Sequence, residues 1–309
     1  MGKSDDLINY GPENIATLLK QDIILPKSQH RMNVFNDENL VHYEGVLGIF
    51  DYDPEEFKVE KFNDGTECLH YCGKGNSVDL PDGCIDTRYM FCRRRLPEGF
   101  SLGEHFDTSK VTDMYGMFSQ CILPEDFSLG EHFDTSNVTD MARMFENCKL
   151  PKDFTLGEHF DTSKVTDMCG MFSYCKLPEG FSLGEHFDTS RVIAMTSMFE
   201  SCKLPGGFSL GEKFDTSNVT DAKFMFDNCK LPKDFTLGEH FDTSKVTDMY
   251  GMFSYCKLPE GFSLGKHFNT SSVTDMKFMF DNCKYNGIDA YDYFETESDL
   301  EIINKLREH

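Results

Sequence analysis

Long apolar runs are missing from these 309 residues, and none approaches the roughly 18 that a membrane-spanning helix needs. The opening Met-Gly-Lys-Ser-Asp-Asp also lacks the apolar core of a signal peptide, and Asp6 stands where a myristoylation motif wants Ser or Thr. These gaps predict a soluble chain that does not use the general secretory route. Positive charge is scarce too: 30 Lys and Arg face 53 Asp and Glu, for a formal charge of -23. Such a balance repels nucleic-acid phosphates and anionic headgroups at long range, which disfavours nucleic acid and bare membrane as partners. Nor does any nucleophile-base-acid set, phosphate loop or catalytic carboxylate pair stand out, so no enzyme is expected.

What the chain does have is a period. Phe106, Phe133, Phe160, Phe187, Phe214, Phe241 and Phe268 follow one another at steps of 27 residues without a slip. Each opens a unit close to Phe-Asp-Thr-Ser-Lys-Val-Thr-Asp-Met-x-x-Met-Phe-x-x-Cys-Lys-Leu-Pro-x-x-Phe-Ser-Leu-Gly-Glu-His, as in Phe106 to His132. A period between 20 and 50 residues signals supersecondary units that bury their apolar faces against copies of themselves. Thr108-Ser109-Lys110 recurs with the repeat and is therefore read as architecture and not as an active site.

Three regions follow. Residues 1–78 lie outside the period and form an N-terminal segment or cap. In it Gly11-Pro12-Glu13, before Ile15, Leu18 and Leu19, reads as a helix start, and Val46-Leu47-Gly48-Ile49-Phe50 as a strand. Residues 79–284 hold one degenerate repeat, marked by Asp86, Met90 and Phe91, and seven full copies. Residues 285–309 read as a C-terminal helical cap, with Ser298-Asp299-Leu300-Glu301 as its capping box. Inside the array, residues 133–184 reappear as 214–265 with five differences, the trace of a three-repeat block copied whole. Surfaces duplicated in this way are expected to have specialised little.

Within a repeat, Val111, Met114, Met117, Phe118 and Cys121 fall on one side of a helical wheel, and Leu123-Pro124 breaks the run. Phe127-Ser128-Leu129 alternates apolar, polar, apolar in the manner of a strand, and Gly130 supplies a turn. The expected fold is an α/β repeat solenoid, leucine-rich-repeat-like, with one short parallel strand and one short helix or helical turn per repeat. A single repeat is not expected to fold alone, because its core is closed only by its neighbours.

The run from Phe106 to Met114, followed by Met117-Phe118 and Cys121, resembles the repeats of BspA-type leucine-rich-repeat surface proteins over residues from about 80 to 284. The resemblance implies a leucine-rich-repeat-like solenoid, often displayed on microbial surfaces for attachment.

Several rows invite chemistry. Cys121, Cys148, Cys175, Cys202, Cys229, Cys256 and Cys283 share one phase, and read as reduced, buried thiols in a reducing, cytoplasmic compartment unless the chain is exported by another route or packaged in a particle. His105, His132, His159, His186, His240 and His267 share another; Lys213 in the same row points to a solvated edge, and stacked imidazolium groups should loosen the array below about pH 6. The aspartate rows beginning at Asp107 and Asp113 suggest calcium, but Asn269 and Ala194 interrupt them, which favours backbone capping. Cys68, Cys72, Cys84 and Cys92 offer a structural zinc site near the N-terminal cap.

Positions that vary between copies point to a partner-binding face made by Tyr115, Arg143, Tyr174, Lys223, Phe224, Tyr250, Tyr255, Lys277 and Phe278. The function expected is a non-enzymatic scaffold for a protein partner. The alternatives are a BspA-like attachment protein and a structural component of a particle or coat, with a homo-oligomer or larger assembly as a further form.

Overall fold

The computed structural model describes residues 40–62 and 65–290. The helix starts read at Pro12 and at Ser298 lie outside these residues. Two antiparallel hairpins come first: β1 (Val41–Gly45) with β2 (Gly48–Tyr52), and β3 (Phe57–Lys61) with β4 (Glu67–Tyr71). Val46 and Leu47, expected to open a strand, form the tight loop between β1 and β2 instead, and the strand begins at Gly48. Leu47 is nevertheless buried, and its carbonyl accepts a hydrogen bond from Ile85 N–H at 2.9 Å. Tyr71 fastens the second hairpin to the array: its N–H donates to Met90 O at 2.8 Å, and its ring lies 5.4 Å from Phe91 and 5.7 Å from Phe100.

β5 (Ser77–Val78) pairs in parallel with β6 (Ser101–Leu102) at an offset of 24 residues, and the 27-residue ladder begins at Asp86. From there each repeat lies directly over the next, with register 27. Parallel bridges join Asp86, Asp113, Asp140 and Asp167, then Ala194, Asp221, Asp248 and Asp275. A second line of bridges runs through Arg95, Ile122 and Lys149, and through Lys176, Lys203 and Lys230. It ends in a three-stranded sheet, β7 (Lys257–Leu258) parallel to β8 (Lys284–Tyr285), which turns back as β9 (Ile288–Asp289).

From Val41 to Asp289, among the described residues, no helix forms. The Val111–Cys121 stretch is a succession of tight turns whose N–H groups alternate between two tasks. Met117 N–H closes on Met114 O and Cys121 N–H on Phe118 O, both at 3.1 Å, while Gly116, Phe118 and Gln120 N–H reach Ala142, Met144 and Glu146 O of the following repeat at 2.7–2.9 Å. Gly116 and Gln120 sit third in these turns with φ of 58° and 57°, the type II pattern. The apolar spacing that mimics a helix stripe thus arises because each turn of four residues returns the chain to the same inward side. Phe127 and Leu129 are buried and Ser128 exposed, so the expected alternation is present, yet no backbone bond between described repeats runs through it.

The core is a column of rings. Phe91, Phe118, Phe145, Phe172, Phe199, Phe226, Phe253 and Phe280 stack face to face, centroids 5.2–5.9 Å apart and planes within 9° of parallel. A second ring from each repeat meets the column edge-on, as Phe127 meets Phe118 at 5.8 Å and 70°. Such offset and edge contacts add roughly 0.5–1.5 kcal/mol each beyond burial. Buried threonines stitch the other side: Thr108 Oγ1 donates to Asp134 O, and Thr135 Oγ1 to Asp161 O, each at 2.8 Å.

Candidate functional site

The turns that replace the expected helix carry the partner-binding residues read from the sequence, and the structure divides those residues into two groups. Tyr115, Phe224 and Tyr250 are half-buried and hold neighbouring repeats together: Tyr115 meets Tyr89 at 5.1 Å, and Tyr250 takes Phe224 at 5.1 Å and Phe278 at 5.3 Å, all edge-on. Arg143 is half-buried, with Nη1 3.7 Å from Glu146. Lys223 Nζ stands 3.1 Å from Asp221 and 3.6 Å from Asp248. Tyr174, Tyr255 and Phe278 remain outward, at 41%, 59% and 53% exposure, with Lys277 exposed beside Phe278. Tyr174 Oη donates to Glu200 at 2.7 Å, which fixes that ring upright.

Electrostatics under this face follow one row. Each aspartate of the Asp113 phase accepts the N–H two residues ahead, as Tyr115 N–H to Asp113 at 2.9 Å and Ala142 N–H to Asp140 at 2.9 Å. The Asp107 phase repeats the device with Ser109 and its equivalents at 2.8 Å. These local bonds are Asx turns, which meet the backbone N–H groups as a cap would but with no helix following. Cations sit between some carboxylates of the inner row: Arg88 bridges Asp86 and Asp113, and Lys223 bridges Asp221 and Asp248. Asp140 has Asp113 on one side and Asp167 on the other, and burial pushes its carboxyl up to about 7.

The zinc reading does not gather its ligands. No three His, Cys, Asp or Glu residues among those described converge as a metal site. Cys68 lies buried on β4, Cys72 points its thiol at Glu55 O, 3.7 Å away, and Cys84 donates to Asp86 O at 3.2 Å. Cys92 is buried within the first turn strip. Burial raises all four thiols, Cys84 and Cys92 to about 12, which opposes the thiolate that zinc requires. All twelve cysteines are free, and the seven of the repeat row are buried. The six histidines of the repeat row are all exposed. A shallow hollow of about 690 Å³ between the first hairpin and the array, lined by His42, Asp51, Asp79, Asp82 and His105, was not legible in the sequence because the hairpin that forms one wall lies outside the period.

The unit that recurs throughout this array is also what a known family model recognises. The model described as "Mycoplasma protein of unknown function, DUF285" matches residues 86–205, 150–257 and 206–299. The chain belongs to the DUF285 family. The overlapping matches mean that the DUF285 unit spans several 27-residue repeats and occurs more than once in this chain. No curated protein and no solved structure gives a match.

Proposed function

We propose that this DUF285 chain is a leucine-rich-repeat-like solenoid that serves as a non-enzymatic scaffold, docking a protein partner on its turn face. One observation carries the reading. Between the copied blocks 133–184 and 214–265, the five differences are Met141 for Ala222, Ala142 for Lys223, Arg143 for Phe224, Glu146 for Asp227 and Cys169 for Tyr250. All five fall in the turns, where Met141, Ala142, Glu146 and Ala222 are buried and Lys223, Phe224 and Tyr250 pack between repeats, so a partner would read the side chains that stand out from the same turns. Tyr174, Tyr255 and Phe278 stand out from the same face, and exposed aromatics of this kind are the side chains that anchor protein interfaces. Free buried thiols support a reducing compartment for the chain.

Retention of proteins from the source cell by the intact chain, compared with a Tyr174→Ala/Tyr255→Ala/Phe278→Ala variant of equal melting temperature, tests the reading. Proteins held by the first and lost from the second support it; identical sets from both discard it. A second reading, attachment in the manner of BspA-type surface proteins, draws on the repeat motif and the family placement. Labelling of intact cells with an impermeant reagent that leaves the chain untouched would dispose of it.

A further inference from the structure

Two exposed rows of opposite sign run along the array, and neither is absorbed by the turn face. Lys149, Lys176, Lys203, Lys230 and Lys257 occupy one phase and are all exposed. Lys284 continues the row but is held by Asp289 at 3.0 Å. Glu104, Glu131, Glu158, Glu185, Glu212 and Glu239 occupy another phase and are likewise all exposed. The ten recorded ion pairs among the described residues involve none of these five lysines or six glutamates.

Each row has the rise of the ladder, which the ring column sets at 5.2–5.9 Å. Like charges that close lie within one another's Debye length of about 8 Å at physiological salt, so both rows are unfavourable until an opposite charge meets them. A rigid partner neutralises five successive rungs only if its own charges repeat at the same rise. A second copy of this chain has that rise by construction.

We propose that the lysine row of one copy docks against the glutamate row of another, in rung-for-rung register. The inference rests on the scaffold reading and names one partner, the chain itself. Every copy carries both rows, so the assembly closes as a two-fold dimer where each row meets its opposite at once, and is open-ended where only one pair of rows meets. A polyanion is the other occupant that lysines would take, but the net charge of -23 repels it at long range and offers it no matching spacing.

The same net charge makes the expected salt dependence diagnostic. At about 0.01 M salt the Debye length is about 30 Å and whole-molecule repulsion keeps copies apart; at about 0.15 M that repulsion is screened while contact pairs persist; at about 1 M the pairs are screened as well. Sedimentation of the full chain across this range should show association greatest at the intermediate salt. Lys203→Glu/Lys230→Glu and Glu158→Lys/Glu185→Lys variants, each with an unchanged melting temperature, should each self-associate about tenfold more weakly or less. An equimolar mixture of the two should recover association, since each supplies the row the other has inverted. A chain that stays monomeric at every salt, variants that associate like the parent, or a mixture that fails to recover overturns the proposal. So does heparin capture that weakens steadily with salt and is lost in the lysine variant while the parent stays monomeric. None of these outcomes touches retention through Tyr174, Tyr255 and Phe278, so the scaffold reading stands or falls separately.

Discussion

The ring of Phe224 lies over Gly251 of the following repeat, so close that a Cβ on Gly251 would meet the ring's Cε1 at 2.6 Å. Tyr89 covers Gly116 in the same way at 2.8 Å, and Arg143 approaches Gly170 at 3.4 Å. Large residue and glycine therefore alternate along this phase of the turns because one fills the place the other leaves open.

Two substitutions at this phase should move stability in opposite directions. Gly251 has φ of 61°, so Gly251→Ala adds backbone strain to the collision with Phe224 and is expected to cost about 2–3 kcal/mol. Ser197 holds the equivalent turn position at φ 57° with a side chain. Ser197→Gly relieves that strain, less the entropy glycine gives the unfolded chain, for a net gain of about 0.5 kcal/mol. Denaturant midpoints measure both; an alanine tolerated at 251 would mean that the ring and the turn adjust freely.

The aspartate row should make stability depend on pH through Asp140. Its folded carboxyl titrates at about 7, raised first by burial and then by Asp113 and Asp167, against lowering by Ala142 N–H and Arg88. Burial likewise raises Asp86 and Asp248. A group that holds its proton more tightly when folded favours the fold at low pH, and that contribution is lost as pH rises from about 4 to about 7. Asp140→Asn keeps the acceptor for Ala142 N–H without the charge. It should melt a few degrees above the parent at about pH 8, with the gap closing by about pH 4. Parallel melting curves across that range would remove Asp140 from the account.

Thiol labelling should separate two classes of cysteine. Burial lifts Cys148, Cys202, Cys229 and Cys256 well above the ordinary thiol range, and all are folded into the array. A thiolate-directed reagent is expected to reach the partly exposed Cys72 first in the native protein, while Cys169, whose thiol burial also raises, and the buried row react with unfolding. Rapid native labelling at Cys202 would contradict the stacked core.

Much of the array was written in the period itself. Phase alone placed Phe106, Val111, Met114, Met117, Phe118 and Cys121 together, and all six are buried. The same phase count reaches the lysine and glutamate rows, because residues 27 apart share a side of the array whatever its detailed shape. It also picked out Tyr174, Tyr255 and Phe278 as outward residues. It could not separate them from Tyr115 and Phe224, since Phe224 lies on the space left by Gly251 one repeat on and Tyr115 packs on Tyr89 one repeat back.

The sequence by itself determined that copies of one unit pack against one another with register 27, because only stacking closes the apolar interior that each copy leaves open. Tertiary structure decided how the chain runs inside a unit. Helical spacing and successive four-residue turns put the same side chains inward, and the choice between them rests on N–H groups that bond to the next repeat instead of to their own. Those bonds link residues 26 positions apart in the chain, beyond the reach of any local signal.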